Sequence, residues 1–188
     1  MALKATVYKV DLTVSDIDRP HYETYALTLA RHPSETDARL MVRLLAFALF
    51  ADEGLSFGRG LSTQDEPDLW RKDLTGDILH WIDLGQPDEQ RLRRACGRAR
   101  RVTVLNYGGR ASDLWWEKHA AALARLESLT VIDIATEPVA ALAALAARSM
   151  QWQALIQDGE LQMMYADGAV TVRPCVRQQG GGVRSAAT

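Results

Sequence analysis

The chain has 188 residues, of which 47% are hydrophobic and 24% are charged. This composition is typical of a soluble globular protein rather than a disordered or fibrous chain, and the length suits one domain whose core needs no metal or disulfide for folding. The formal net charge of -2 provides no overall positive surface, so a role in nucleic-acid binding would need a local basic patch.

Cysteine usage and hydropathy bear on where the protein acts. Cys96 and Cys175 are the two cysteines, and a pair so far apart is not a disulfide framework, which favours a reducing compartment. The sequence has no apolar stretch of about 18 residues, and residues 1–6 lack the charged and apolar regions of a signal peptide. We therefore expect a cytoplasmic protein without a membrane partner.

The N-terminal part of the chain predicts two strands and a helix. Apolar and polar residues alternate over residues 4–14 and 22–30, which is the period of half-buried strands, and we expect the two segments to pair antiparallel. A helix with one broad apolar face is predicted over residues 34–52. Ser34 can accept hydrogen bonds from the first-turn amides, and Gly54 marks the end of the helix.

A hairpin is predicted next, after a short strand over residues 55–57 and a polar loop over residues 60–66. The two hairpin strands cover residues 67–73 and 78–84, where apolar and aromatic residues recur.

The register of this hairpin decides which side chains face each other. If Thr75 and Gly76 form the loop, Asp68 lies opposite Asp83, whereas a loop one residue later would place Trp70 opposite Asp83. Directly paired side chains in an antiparallel ladder have Cβ atoms about 5 Å apart. The first register therefore predicts that two carboxylates meet.

The second half alternates helices with strands and then changes to strands alone. Helices are predicted over residues 87–100, 112–126 and 136–148, and strands over residues 102–107 and 131–134. From Met150 onward, Asp158-Gly159 and Asp167-Gly168 predict the turns of a three-stranded meander. We expect one domain over residues 1–179 and a flexible tail over residues 180–188.

Asp83 is the acidic residue that most needs an explanation, because it ends an apolar strand and directly precedes a predicted helix. Carboxylates are rarely buried unless they are paired, so Asp83 either serves a metal or substrate or lies at a solvated strand end. Asp68 is a further candidate, although aspartate after proline is also common in turns. The four histidines show no zinc-site spacing.

Arginines are concentrated shortly after Asp83, over the predicted helix from Arg91 to Arg101. On a helix these side chains spread over the solvent side, and cations near a helix C-terminus are favourable. The alternative is a face that contacts the phosphates of nucleic acid, with salt-dependent binding. Trp70 and Trp81 could then stack bases, although a packed cross-strand pair is the more frequent use of such residues.

Several strings in order give the sequence a family resemblance. They are Met1–Thr6, His32–Thr36, Asp65–Pro67, Trp81–Gly85, Pro87–Glu89, Trp115–Trp116 and Ile156–Gly159. With these strings the chain resembles the YaeQ family of small bacterial proteins up to about residue 179. The resemblance implies a variation on the restriction-endonuclease-like fold of PD-(D/E)XK nucleases. The expected fold is α+β or α/β, with a mixed-sheet core of helix, three strands, helix and strand, and additional antiparallel strands at the N-terminal and C-terminal sides.

The resemblance also implies site residues. In the nuclease motif, one aspartate starts the second core strand, an acid ends the third, and a lysine stands two residues further on. Asp68 and Asp83 occupy the acid positions, and Gly85 occupies the lysine position. Acids of this kind hold Mg²⁺ or Mn²⁺, which neutralises a phosphate and lowers the pKa of an attacking water. The implied function is a metal-dependent phosphodiesterase acting on nucleic acid; the missing lysine favours the alternative, a catalytically inactive binding or regulatory module.

Two nearby residues are candidates to replace the missing lysine. Gln86 could orient a water by hydrogen bonding, and Lys72 shares a strand face with Asp68 by the period of two. The first helix of this fold often adds a glutamate to the metal site, and Glu35 or Glu53 is available for that role at opposite ends of the helix. Glu35 also suits the positive end of the helix dipole, and Glu66 is a further acid near Asp68.

Overall fold

The computed structural model describes residues 4–59 and 65–181 of the chain. Eleven strands and four helices are formed in these ranges. The strands are β1 (Thr6–Asp16), β2 (His21–Arg31), β3 (Leu55–Phe57), β4 (Leu69–Lys72), β5 (Ile78–Leu84), β6 (Ala99–Asn106), β7 (Leu129–Asp133), β8 (Ser149–Gln157), β9 (Glu160–Tyr165), β10 (Gly168–Val172) and β11 (Cys175–Gln178). The helices are α1 (Asp37–Phe50), α2 (Glu89–Arg98), α3 (Arg110–Leu123) and α4 (Thr136–Ala144).

The strands form two mixed sheets. One has the order β10-β9-β8-β1-β2, and the other has the order β11-β7-β6-β5-β4-β3. The predicted N-terminal antiparallel pair β1-β2 and the C-terminal meander β8-β9-β10 are confirmed, and both belong to the first sheet. In the second sheet β5, β6 and β7 are parallel. The mixed α+β class is thus confirmed.

Helix α1 lies in the apolar core shared by the two sheets. Leu12 of β1, Leu44 of α1 and Ile82 of β5 belong to the same cluster of fully buried side chains. Every residue from Leu40 to Ala48 is buried, so burial extends beyond the one apolar face that was predicted: a helix packed between two sheets is covered on more than one side. The opposite face of the second sheet packs against α2 and α3, with Trp81 in that second cluster.

The start of α1 differs from the prediction. Thr36 is the N-cap, and its hydroxyl accepts a hydrogen bond from the Arg39 amide at 3.1 Å. The Ser34 hydroxyl is instead 2.6 Å from Nδ1 of His32. The helix therefore begins three residues after the predicted start, since the cap that organises the first turn is Thr36 rather than Ser34.

The hairpin register agrees with the first of the two alternatives. Trp70 pairs with Trp81 and Arg71 with His80, and a bulge after Arg71 then pairs Lys72 with Ile78. The turn is longer than the two-residue loop that was predicted. Its backbone closes by a hydrogen bond of 3.0 Å from the Asp73 amide to the Asp77 carbonyl, so the bulge absorbs the added length without disturbing the register further along the strands.

Two of the strand pairings that were not predicted join distant parts of the chain. β11 pairs antiparallel with β7, and β1 pairs parallel with β8, joining segments that are far apart in sequence. Helices α2, α3 and α4 end earlier than predicted, at Arg98, Leu123 and Ala144.

The structure describes only part of the predicted tail and of the predicted polar loop. Gly180 and Gly181 donate backbone hydrogen bonds to Thr130 and Glu127 at 3.0 and 2.8 Å. The rest of the predicted tail, residues 182–188, and most of the predicted polar loop, residues 60–64, lie outside the described ranges. None of the described helices combines the length and the hydropathy needed to cross a membrane.

Candidate functional site

Asp83 lies near the carboxyl end of β5, at the edge where the parallel strands β5, β6 and β7 finish. Its side chain is buried, with 1% of the residue exposed. Side chains alternate between the faces of a strand, so Asp83 and Trp81 point toward α2 and α3, whereas Ile82 and Leu84 point toward α1. A solvated strand end is therefore the wrong interpretation of Asp83.

Arg91 neutralises this buried carboxylate. Its Nε and Nη2 each donate a hydrogen bond of 2.8 Å, one to each oxygen of Asp83. The start of α2 fixes the approach, because Asp88 caps the helix and accepts a hydrogen bond from the Arg91 amide at 2.8 Å. Nη2 of Arg91 also donates to the Glu66 carbonyl at 2.8 Å. The result is a bidentate ion pair, the geometry in which guanidinium and carboxylate bind most strongly.

Asp68 is held by a second arginine from the other face of the sheet. Arg39, in the first turn of α1, donates from Nη2 to Oδ1 of Asp68 at 2.5 Å. The other carboxylate oxygen accepts a hydrogen bond of 2.9 Å from the Leu84 amide. This bond ties Asp68 to the residue next to Asp83, and the register of Leu69 with Ile82 places Asp68 beside the end of β5.

The electrostatic environment of Asp68 reflects its position between charges. Burial raises the pKa of its carboxyl above the ordinary 3.8, and the negative charge of Asp83 raises it further. Arg39 and the Leu84 amide oppose the rise because both stabilise the ionised form. The charge of Asp83 therefore contributes to the electrostatic environment of Asp68.

The other residues predicted for the site have different partners. Gln86 donates from Nε2 to Oδ1 of Asn106 and to the Tyr107 carbonyl, both at 2.5 Å. The Lys72 ammonium lies 3.5 Å from the centre of the Trp70 ring, in a cation–π contact.

The candidate glutamates of the first helix are also accounted for. Both carboxylate oxygens of Glu35 accept from Nη1 of Arg43 at 3.2 Å, in a pair that is almost fully buried. Glu53 follows the C-terminal end of α1, whereas Arg39 and Asp68 lie at its N-terminal end. Among residues 4–59 and 65–181, no group of three or more His, Cys, Asp or Glu side chains is arranged to hold a metal ion.

The position of the motif lysine has an unusual backbone. Gly85 has a φ of +82°, and a Cβ atom added there would lie 3.8 Å from Nη1 of Arg39 and 3.8 Å from Cε1 of Tyr107. Residues with a side chain rarely adopt this left-handed conformation. Gly85, at the position where the resemblance implies a lysine, therefore has a backbone conformation that favours glycine.

Most arginines of the predicted basic segment contact the protein itself. Arg93 pairs with Glu89 at 2.5 Å, and Arg98 lies over the Trp81 ring and donates to the Asp65 carbonyl at 3.2 Å. The segment is also not one helix, since α2 ends at Arg98 and the last arginines lie on β6. Trp70 and Trp81 pack edge to face across the hairpin, with ring centres 6.4 Å apart. They form the cross-strand pair that was weighed against base stacking.

Arg39 and Arg91 are the residues that sequence reasoning missed as partners of the two acids. A signal existed for Arg91: a buried carboxylate requires a cation, and a helix that starts directly after a strand places its first turn over the strand end. Arg39 had no comparable signal, because it is 29 residues from Asp68 in sequence.

Comparison of the sequence with known proteins identifies relatives over nearly the whole chain. A model of the family described as YaeQ protein matches residues 1–174. An uncharacterised YaeQ protein of Salmonella typhi is 45% identical over 180 residues, which are 95% of this chain and 99% of the relative. The uncharacterised YaeQ protein of Escherichia coli K12 is 47% identical over 160 residues, covering 85% of this chain and 88% of the relative.

Two crystal structures of YaeQ proteins have the same fold. The structure from Xanthomonas axonopodis pv. citri has a TM-score of 0.90 and 58% identity, covering 93% of this chain and 98% of that one. The structure from Pseudomonas syringae has a TM-score of 0.89 and 38% identity, with coverage of 93% and 97%. The chain belongs to the YaeQ family.

Proposed function

We propose that the protein is a non-catalytic binding or regulatory module built on a restriction-endonuclease-like core, in which the two acids of the ancestral metal site have become members of ion pairs. The element order α1, β3, β4, β5, α2, β6 supports this core. So does the sheet, since β3, β4 and β5 are antiparallel neighbours and β6 runs parallel to β5.

The observation that carries the proposal is the pairing of each acid with a guanidinium. Asp83 accepts both hydrogen bonds from Arg91, and Asp68 accepts one from Arg39. Two carboxylates and two guanidiniums have formal charges that sum to zero. A divalent cation brought between them would gain little net attraction and would face two nearby positive charges. These residues therefore do not fit a magnesium or manganese site.

Gly85 supports the same conclusion. A lysine at this position would need the left-handed backbone, which costs a residue with a Cβ atom about 1–2 kcal/mol. Its ammonium would also extend from a Cβ position 3.8 Å from the Arg39 guanidinium. The lysine that orients or stabilises charge in nuclease catalysis thus has no unstrained position here.

The competing function is a phosphodiesterase that uses Mg²⁺ or Mn²⁺ at Asp68 and Asp83 and acts on nucleic acid. It requires the metal to displace both arginines. We expect no cleavage of single-stranded or double-stranded DNA or RNA above the level of a D83N control, with Mg²⁺ or Mn²⁺ present. We also expect no shift of the thermal unfolding midpoint with Mg²⁺, Mn²⁺ or Ca²⁺, whereas a bound ligand at a hundred times its Kd would stabilise the fold by about 2.7 kcal/mol.

The assay and the unfolding measurement can each contradict the proposal. Metal-dependent cleavage that is present in the wild type and lost in D83N would establish the phosphodiesterase instead. R94Q provides a matched control for the loss of one charge, because Arg94 is exposed on α2, the helix that supplies Arg91.

Restoring the motif lysine tests the role of the backbone. We expect G85K to lower the free energy of unfolding by about 1–2 kcal/mol from backbone strain alone, with a further loss from repulsion by Arg39, and to produce no nuclease activity. Urea unfolding measures the loss. G85A is the matched control, since it introduces the same strain without the charge. A G85K variant as stable as the wild type would contradict the backbone argument.

A further inference from the structure

A second polar cluster lies on the face of the six-stranded sheet opposite to Asp83. Arg71, His80 and Arg101 are direct partners across the neighbouring strands β4, β5 and β6. Direct partners point to the same face of a sheet, and the Phe50 ring of α1 contacts the His80 ring edge to face, with centres 5.2 Å apart. The three side chains therefore form a row under the C-terminal end of α1.

A third arginine reaches the same end of α1 from the turn between β1 and β2. Arg19 donates from Nη2 to the Leu49 carbonyl in the last turn of the helix at 3.2 Å. It also donates from Nε to the buried carboxylate of Asp16 at 2.5 Å. We call Arg19, Arg71 and Arg101, with His80, the arginine cluster.

The carboxylates near the arginine cluster neutralise only part of its charge. Asp16 pairs with Arg19, and Asp52 pairs with Arg71. Within residues 4–59 and 65–181, no carboxylate makes an ion pair with Arg101. Arg101 is therefore the arginine of the cluster that has no ion-pair partner in the described part of the chain.

His80 holds the Arg101 guanidinium in place and carries no charge itself. Nη2 of Arg101 is 3.1 Å from Nδ1 of His80, and Nε2 of His80 is 2.8 Å from the Thr103 hydroxyl. An arginine can only donate, so Nδ1 must be the unprotonated nitrogen and the ring is neutral with its proton on Nε2. The His80 ring is neutral and 2% exposed. It accepts one hydrogen bond from Arg101 and leaves the other N–H donors of this guanidinium for another acceptor.

All three arginines are at least partly exposed to solvent. The side chains of Arg19 and Arg71 are 42% and 34% exposed, and Arg101 is exposed. Loss of hydration lowers the pKa of Arg101, and the positive charges of Arg19 and Arg71 lower it further, whereas the Asp52 carboxylate acts in the opposite direction. A bound anion would offset the repulsion between these positive charges.

We propose that the arginine cluster binds a phosphate group, as inorganic phosphate or as the phosphomonoester of a small molecule. Arg19 comes from a turn, Arg71 from β4 and Arg101 from β6, so the three side chains approach from separate directions. This arrangement matches the oxygens of a tetrahedral dianion better than it matches the two oxygens of a planar carboxylate. Arg71 and Arg101 lie two strand spacings apart, about 10 Å between backbones, so both side chains can extend to one bound group. The site is distinct from the pair Asp68 and Asp83 and does not depend on the function proposed for it.

Thermal unfolding in chloride buffer, with inorganic phosphate added at constant ionic strength, tests the site. We expect the wild-type midpoint to rise and saturate. Loss of a charged hydrogen-bond donor should weaken phosphate affinity at least about tenfold in R101Q, and R101K should also lose affinity because it lacks the planar fork. R94Q, with the same loss of charge at an exposed position on α2, should respond as the wild type does.

Two further measurements separate specific binding from a general salt effect. Adenosine 5′-monophosphate should raise the wild-type midpoint and adenosine should not, if the phosphate group is what the cluster recognises. Broadening of the phosphorus NMR signal of inorganic phosphate by the wild type, absent with R101Q, reports binding independently of unfolding. Equal midpoint rises in the wild type and R101Q, as a preferentially excluded salt would give, or no rise in the wild type, would overturn the proposal.

Discussion

Lowering the pH from about 7 to about 4.5 is expected to destabilise the wild-type protein by about 2–3 kcal/mol more than an H80Q variant. Burial is the main reason: it lowers the pKa of His80 from the ordinary 6.5 to about 3, and the charges of Arg101, Arg19 and Arg71 act in the same direction. The folded protein therefore keeps the imidazole neutral over a range in which the unfolded chain takes up a proton.

The direction of the effect follows from proton binding. Below pH 6.5 the unfolded state binds more protons than the folded state at this residue, so stability decreases as the pH falls from 6.5 toward 3. Above pH 7 both states are neutral there, and His80 makes no contribution to the pH dependence. Each pH unit well below 6.5 costs about 1.4 kcal/mol.

Urea unfolding at both pH values, for the wild type and H80Q, measures this difference. Glutamine can accept from Arg101 and donate to Thr103, so the variant retains the hydrogen-bonding pattern without a titrating group. H119Q, altered on α3, keeps His80 and should retain the wild-type pH dependence. The same loss of stability in the wild type and H80Q would show that His80 is protonated in the folded state.

Among single substitutions at the candidate site, R91M is expected to cause the largest loss of stability. The substitution leaves the Asp83 carboxylate, which is 1% exposed, without a cation. Breaking a buried ion pair in this way costs about 3–5 kcal/mol. Urea unfolding at pH 7 provides the measurement. An R94M control on the exposed side of the same helix should remain within about 0.5 kcal/mol of the wild type.

A double-mutant cycle extends this test. D83L combined with R91M removes both charges, so we expect the double variant to be more stable than R91M alone, with a coupling energy of about 0.5–3 kcal/mol or more between the two sites. If R91M cost less than about 1 kcal/mol, or if the two substitutions were simply additive, Asp83 and Arg91 would not form the ion pair on which the proposed function depends.

Local signals predicted much of the fold. Alternation identified β1 and β2, turn residues identified the meander from Met150, and one of the two loops considered gave the right register between Trp70 and Trp81. These features depend on residues close together in sequence, where side-chain period and turn preference act directly.

The sequence did not predict strand pairing between distant segments or the partners of the buried acids. Nothing in the pattern of β1 specifies that Lys9 lies beside Ser149, because a strand with one buried face can pair with many others. For the candidate site, the sequence singled out Asp68 and Asp83, but the arginines that bind them come from helices whose placement depends on the complete tertiary structure.

The burial of α1 between two sheets has a consequence for how the chain folds during synthesis. The sheet that covers one side of the helix joins β1 to β8, whose paired residues Lys9 and Ser149 lie at opposite ends of the sequence. Domains emerge from the ribosome N-terminus first, and non-local strand pairing is slow. The apolar core cluster that α1 shares with β8 and β9 is therefore completed only after most of the protein has been made.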